Sequence, residues 1–210
     1  MHNGLFINLE SRADRKDLFL AQFADISGVN IQRFNAISDA RGALGCTLSH
    51  ISCLQTAKSN NWDHVLIFED DFELIVTPAA FKVQMDLLLR RPWDVLMISG
   101  YVLKCDKPVD SMCKVQDAQS AVAYAVRKSY YDTLIANLQE SYAGLRDSKE
   151  YHKYALDQYW KRLQVTGDWR ISFPILGKQR AGFSDIENTV VNYDQFFLGT
   201  NINRMLLPIG

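Results

Sequence analysis

The sequence predicts an α/β fold, a mostly parallel central sheet flanked by helices, and three observations carry that expectation. Short apolar runs alternate along the chain with stretches whose apolar residues recur at steps of three and four, which is the β/α alternation of a parallel sheet. Two runs, "HVLIF" (64–68) and "DVLMIS" (94–99), are apolar on both alternating faces, as strands covered by helices on each side must be. No repeat, low-complexity tract or Pro/Gly-rich linker interrupts the 210 residues, so residues 1–210 read as one domain.

Each element has its own signal. "GLFINL" (4–9) is a short apolar strand, and "RADRKDLFLAQF" (12–23) places Leu18, Phe19 and Phe23 at helical spacing with charges between them. "IQRFNAI" (31–37) reads as a second strand. "LGCTLSHISCLQTAK" (44–58) then spaces Leu44, Leu48, Ile51 and Leu54 by four and three, giving a helix with one buried face. After the strand at 64–68, Thr77 and Pro78 supply an N-cap and a first-turn proline for a helix through "AAFKVQMDLLLRR". "SAVAYAV" (120–126) reads as another strand, and Ser129 with Asp132 resembles a capping box opening "SYYDTLIANLQ". The stretch 99–116 has no clear period and reads as a loop, of a length that compact domains usually reserve for function.

Composition excludes several classes. With 23 Lys and Arg against 24 Asp and Glu, the formal charge of −1 leaves no electrostatic footprint for nucleic acid or an anionic membrane. Nothing approaches the roughly 18 apolar residues of a membrane span, and "MHNGLFINLE" lacks the basic and apolar regions of a leader. Cys46, Cys53, Cys105 and Cys113 have neither metal-ligand spacing nor the density of a stapled secreted scaffold. They read as free thiols in a reducing compartment, hence a cytoplasmic protein.

The most informative stretch is "VLIFEDDFEL" (65–74), where Glu69, Asp70 and Asp71 follow a buried strand. In parallel α/β sheets ligands sit beyond the carboxyl ends of the strands. Three adjacent carboxylates packed there would raise one another's pKa, and each desolvated charge would cost several kcal/mol. A hard divalent cation, Mn²⁺ or Mg²⁺, resolves the conflict because it prefers oxygen ligands and keeps positions open for water and phosphates. Strand alternation points Glu69 and Asp71 to one side and Asp70 to the other. Asp71 is the leading ligand, helped by Glu69 or Asp70; the competing reading is a solvated acidic turn with Glu73 as its fourth member.

Several segments taken together resemble glycosyltransferase family 25, which contains lipooligosaccharide and collagen galactosyltransferases. "FINLESRADR" (6–15), "GALGCTLSH" (42–50), "VLIFEDD" (65–71), "WDVLMISG" (93–100), "AYAV" (123–126) and "SDIEN" (184–188) follow that family's order and approximate spacing. The resemblance implies a GT-A-like glycosyltransferase fold, a nucleotide-sugar donor (UDP-galactose first, UDP-glucose next), a divalent metal on the acidic motif and a glycan, glycolipid or glycoprotein acceptor.

By that similarity, residues after the first strand, Asn8, Leu9, Arg12 and Arg15, shape the uridine pocket, and an arginine forks two diphosphate oxygens. Arg12 is the stronger candidate of the two, against the plainer use of both as surface partners of Glu10, Asp14 or Asp17. Gly45 permits close backbone approach, and Ser49 and His50 flank the donor, although a lone His on an amphipathic helix is often a structural residue. An inverting transfer needs a carboxylate to take the acceptor's proton. Asp157 in "ALDQYWKRL" is the candidate, without the proline-containing lead usual in the family. Pro174, Gln179, Ser184 and Asp185 match a late pattern that folds over the donor diphosphate, with Asp70 also on the donor side and Lys178 and Arg180 adding positive charge. No histidine follows residue 152, so Asp185 or water completes the metal shell begun by Glu69 and Asp71. Tyr101, Tyr151, Tyr154, Tyr159 and Trp160 are candidates to stack on sugar rings.

Two other functions stay open on the residues alone. A nucleotidyltransferase or phosphate-ester hydrolase would use the same acidic cluster. A catalytically silent sugar-nucleotide or glycan-binding module would keep the pocket without turnover.

Overall fold

A computed structural model of the chain describes residues 2–199. In chain order the first half runs β1 (His2–Asn8), α1 (Ala13–Phe23), β2 (Val29–Asn35), α2 (Gly42–Ser59), β3 (His64–Glu69), β4 (Phe72–Leu74), α3 (Pro78–Leu88) and β5 (Val95–Met97). The second half runs β6 (Tyr101–Cys105), β7 (Met112–Gln119), β8 (Ala123–Arg127), α4 (Tyr131–Ser148), three short helices α5 (Tyr151–Tyr154), α6 (Leu156–Tyr159) and α7 (Lys161–Thr166), then β9 (Trp169–Ser172). Three short strands, β10 (Gly177–Gln179), β11 (Gly182–Ser184) and β12 (Thr189–Val191), and α8 (Asp194–Leu198) close the described chain.

Eight strands form one sheet in the order β2-β1-β3-β8-β5-β9-β7-β6. β1 pairs in parallel with β2 and β3, and β5 with β9, whereas β8 is antiparallel to β3 and β5 and β7 is antiparallel to β9 and β6. Six strands therefore share one direction, and β7 and β8 oppose it. The register Ile7↔Glu69 brings the end of β1 beside the acid-rich end of β3.

The two faces of the sheet are packed differently. Phe6 and Phe68 are register partners, and their rings meet Phe19 and Phe23 of α1, with centroids of Phe6–Phe19 4.5 Å apart and Phe23–Phe68 5.4 Å. Phe81 of α3 completes this cluster at 5.6 Å from Phe23. On the opposite face Ile67 pairs with Tyr124, whose ring packs 5.5 Å from Trp160, itself 5.2 Å from Trp169. These rings are fully buried save Phe23, and burying one is worth about 1.5–3 kcal/mol, so both layers are firmly anchored beneath the site.

Thr77 caps α3 as expected, its hydroxyl accepting from the Ala80 amide at 3.2 Å with Pro78 in the first turn. Two local expectations need correction. Residues 99–116 are a β-hairpin rather than a loop: Asp110 and Ser111 take φ of 52° and 64° between the bridged Val109 and Met112, a two-residue turn with both central residues left-handed. Ser129 and Asp132 form no capping box, because a 3₁₀ turn over Lys128–Tyr130 displaces the start of α4 to Tyr131 and Asp132 pairs with Lys58. The aromatic stretch 151–160 is broken at Ala155, with ψ of 143°, into two single-turn helices. Among the described residues no helix is long and apolar enough to cross a membrane, and all four cysteines are unpaired.

Candidate active site

Beyond the carboxyl ends of β1 and β3 lie two adjoining cavities of about 300 Å³ and 370 Å³. They share Cys46, Glu69, Gln179, Ser184 and Ile186, so together they form one cleft pinched at its middle. The smaller cavity is walled by Arg15, Asp70 and Asp71 with Ile7, Leu9 and Ile37 on its apolar side. The larger is walled by Tyr101, Tyr151, Tyr193 and Phe196 with Ser120 and Asp157.

Much of the answer to why three carboxylates tolerate one another is arginine. β3 ends at Glu69 and Asp70–Asp71 turn, so strand alternation does not extend to Asp71. Asp70 and Asp71 instead share Arg15, whose Nη1 lies 2.9 Å from Asp70 Oδ1 and 3.4 Å from Asp71 Oδ2. The other Arg15 nitrogen donates to the Phe183 carbonyl at 2.6 Å, tying β11 across the cleft. Asn8, 1% exposed, donates to Asp70 Oδ2 at 2.7 Å and accepts from Arg33 at 2.8 Å, so it orients a carboxylate and is not itself in the cavity wall. Burial, opposed by Asn8 and Arg15, raises the Asp70 pKa. Burial and then the neighbouring Glu69 push Asp71 up to about 7.

Asp71 Oδ1 is buried and has no hydrogen-bond partner, while Oδ2 accepts from Gln179 at 3.2 Å. An orphaned carboxylate oxygen in a cleft wall, next to a second carboxylate that repels it, fits a hard divalent cation. Asp185 is not drawn into that shell. Its Oδ2 takes a 2.5 Å hydrogen bond from Arg12, whose remaining nitrogens fork Asp14 at 3.0 Å. Arg12 is thereby committed to surface pairing, and Arg15, the lesser candidate from sequence, is the arginine in the cavity wall.

Glu69 points to the other face of the sheet, toward α2. Its Oε1 lies 3.3 Å from His50 Nε2 and 3.6 Å from Cys46 Sγ, and His50 Nδ1 meets the Tyr124 hydroxyl at 2.8 Å. Burial first, and Glu69 second, push the Cys46 thiol up, so it is a neutral thiol. Among the described residues this trio is the one group of three metal-competent side chains with all ligand atoms within 4.8 Å of one another. Glu69, Asp71 and Asp185 do not converge in that way. Gly45 admits no ligand: a Cβ there would lie 2.3 Å from the Ile37 carbonyl, so the glycine lets α2 pack against the 37–39 loop. Ser49 fastens the same loop by accepting from the Ile37 amide at 2.8 Å.

Asp157 stands on the aromatic side. Ser120, left-handed at φ 79°, turns its amide toward Asp157 Oδ2 at 2.9 Å. Burial raises the Asp157 pKa, and Glu69 adds to the rise, which places the two carboxylates within electrostatic reach across the cleft. Of the aromatic candidates, Tyr101 and Tyr151 line the cavity, whereas Tyr154, Tyr159 and Trp160 pack against the helices and core.

The late segment folds over the carboxylates. β10 pairs antiparallel with β4, and Gly177 is required there because a Cβ would meet the Phe72 ring at 2.2 Å. Gln179 and Ser184 line both cavities and Asp185 the smaller. Lys178 and Arg180 point elsewhere, pairing with Glu73 at 3.5 Å and 3.1 Å, and Lys178 also with Asp194 at 2.6 Å. Sequence reasoning missed Tyr193, Phe196 and Cys46. The first two carry no motif, but Cys46 and His50 are four apart on one helix, a spacing that places two ligands on one face.

Residues 39–86 match the model of glycosyltransferase family 25 (LPS biosynthesis protein), the stretch from the Asp39 loop through α2 and the carboxylates into α3. No curated protein matches the chain. Among solved structures the fold is similar to that of a protein from STIV, at 10% identity over 91% of this chain and 93% of that one, with a TM-score of 0.51. It is similar to a glycosyltransferase involved in the glycosylation of the major capsid of PBCV-1, at 10% identity over 80% of each chain and a TM-score of 0.50. It also resembles the glycosyltransferase GlyE of Streptococcus pneumoniae TIGR4, at 9% identity over 81% of this chain and 44% of that one, with a TM-score of 0.50. At these identities the likeness establishes a GT-A-like fold.

Proposed function

We propose that this chain, with its family 25 match across residues 39–86 and its GT-A-like fold, is an inverting, metal-dependent hexosyltransferase. It moves galactose, or next glucose, from a UDP-sugar to a hydroxyl of a glycan, glycolipid or glycoprotein. The observation that carries the reading is the two-chambered cleft: a carboxylate and arginine chamber beyond the parallel strands meets an aromatic chamber holding a second acidic group.

Donor and acceptor divide naturally between them. Leu9, Ile7 and Ile37 offer an apolar seat for the uracil base, and Asp71 would hold the cation at its unpartnered oxygen. A bound Mn²⁺ or Mg²⁺ supplies positive charge to the departing nucleoside diphosphate. Arg15 keeps Asp70 and Asp71 from splaying apart, and Gln179 holds Asp71 from the opposite wall. Asp157, whose raised pKa brings it nearer to neutral, takes the acceptor's proton as the new bond forms. Tyr151 and Tyr101 give the acceptor sugar flat apolar surfaces.

The test is a panel of UDP-sugars scored for Mn²⁺-dependent release of UDP, which requires no acceptor. UDP-galactose should be the fastest, with release lost in chelator. Release no faster than in buffer for every donor, combined with tight UDP binding by calorimetry, would replace this reading with that of a silent sugar-nucleotide module.

A further inference from the structure

We infer that Cys46, His50 and Glu69 form a zinc-binding site whose open coordination position faces the junction of the two cavities. Cys46 and His50 lie four residues apart on α2 and share the face that looks at the sheet, and Glu69 meets them from the end of β3. Two separate elements thus supply one sulfur, one imidazole nitrogen and one carboxylate oxygen.

Two of the three ligand separations are those of a zinc tetrahedron, and the third, between sulfur and imidazole, is within 4.8 Å. With Zn–N and Zn–O near 2.0 Å and Zn–S near 2.3 Å, tetrahedral angles separate N from O by about 3.3 Å and S from O by about 3.5 Å. His50 Nε2 and Cys46 Sγ stand 3.3 Å and 3.6 Å from Glu69 Oε1. The imidazole is held through its other nitrogen, Nδ1 lying 2.8 Å from the buried Tyr124 hydroxyl, as zinc-ligating histidines are held by an outer partner. Such anchoring leaves Nε2 aimed at Glu69 and the centre of the trio.

The donor types select the ion. A thiolate with an imidazole favours zinc over magnesium or manganese, which prefer all-oxygen surroundings. Three protein ligands are the number found in zinc sites that keep a position open for water or another oxygen ligand. Cys46 and Glu69 line both cavities, so that fourth position gives onto the cleft. Binding releases the Cys46 thiol proton to solvent as the zinc–sulfur bond forms. The alternative is a plain His50–Glu69 hydrogen bond with a bystander thiol, and it predicts no affinity for zinc.

The site does not depend on the transfer reaction, so it is read by metal binding. The full chain, reduced and freed of metal by a chelator, is titrated with Zn²⁺ against a chromophoric competitor and separately with Co²⁺. The expected result is one ion per chain, with a thiolate-to-cobalt charge-transfer band and the intense visible bands of tetrahedral cobalt. Cys46→Ser should weaken zinc binding by at least about tenfold and remove the charge-transfer band. Glu69→Gln should weaken binding comparably while keeping the band, and provides the decision if Cys46→Ser loses its thermal transition. Cys113→Ser and His64→Ala, which lie outside the trio, should leave binding unaltered. Absence of a stoichiometric ion, or undiminished affinity in both Cys46→Ser and Glu69→Gln, overturns the site whatever the chain does with UDP-sugars.

Discussion

The carboxylate wall and the aromatic wall of the cleft are built by different means. On the first, the parallel register of β1 with β3 sets Asn8 beside Asp70, and α1 delivers Arg15 to both aspartates, so both aspartates are held by the sheet and the helix packed on it. On the second, Asp157 sits in a single-turn helix and is gripped by the Ser120 amide, a weaker bond to the Gln158 side chain and little else, among rings from the β6–β7 hairpin, α5 and α8. One wall is an extension of the core. The other is an attachment to it, which can vary without disturbing the strands beneath. On the proposed function, that division lets one donor chemistry serve different acceptors.

The sharpest way to break this contrast is to cut one carboxylate from each wall. Asp71→Ala should abolish transfer, by on the order of 10³-fold or more, together with Mn²⁺-dependent UDP binding measured by calorimetry, while the thermal transition survives. Transfer persisting in that variant in chelator would refute the metal role. Asp157→Asn should lower turnover by about 10²–10⁴-fold while UDP affinity stays unchanged, because a base on the acceptor side does not touch the donor. If UDP binding fell as far as turnover, the two walls would not be functionally separate.

The two walls also differ in how far residues alone revealed them. The apolar runs and the β/α alternation were sufficient for the strands under the carboxylate wall, because burial on both faces leaves an unbroken apolar signal at 65–68. Glu69, Asp70 and Asp71 stood out as charges where the strand's burial forbids them. That an arginine also bridges two of them was not legible, because Arg12 and Arg15 carry the same side chain three residues apart; only the packing of α1 shows that Arg15 reaches Asp70 and Asp71 while Arg12 turns to Asp14 and Asp185. The aromatic wall was nearly silent. Its hairpin turns on Asp110 and Ser111, a pair without the Asn-Gly or Asp-Gly mark of left-handed turns, and Tyr193 and Phe196 reach the cavity from some 40 residues after Asp157 through tertiary contacts alone. Gly45 and Ser49, expected beside the donor, pack against and fasten the 37–39 loop, and Ser49 also lines the smaller cavity.

Acidity sharpens the comparison in a different measure. Asp71 has a folded pKa raised to about 7, so between about pH 4 and pH 7 the folded chain holds a proton that the unfolded chain has released. The contribution of this group to stability is therefore present at the acid end and lost as pH rises. Asp71→Asn removes the loss, so in chelator the variant should match the parent near pH 4 and exceed it near pH 8, by on the order of 1–2 kcal/mol once Arg15 is allowed for. Thermal or urea unfolding across that range gives the difference directly. A difference that is flat, or that favours the parent as pH rises, would mean that Arg15 already neutralises Asp71 and that no cation is called for.

The smallest expected effect tests the attachment itself. Tyr151 lines the aromatic cavity yet is 45% exposed, at the start of a helix one turn long, so its ring contributes little to the core. Stacking against a sugar is worth about 0.5–1.5 kcal/mol. Tyr151→Ala should accordingly raise KM for the acceptor roughly 2- to 10-fold, leaving KM for the donor and the Tm where they were. Were donor KM to move instead, Tyr151 would belong to the nucleotide side and the assignment of the two chambers would have to be exchanged. If only Tm moved, the ring would be a structural prop, and acceptor contact would pass to Tyr101 and Phe196, whose rings pack together at 4.9 Å in the wall of the same cavity.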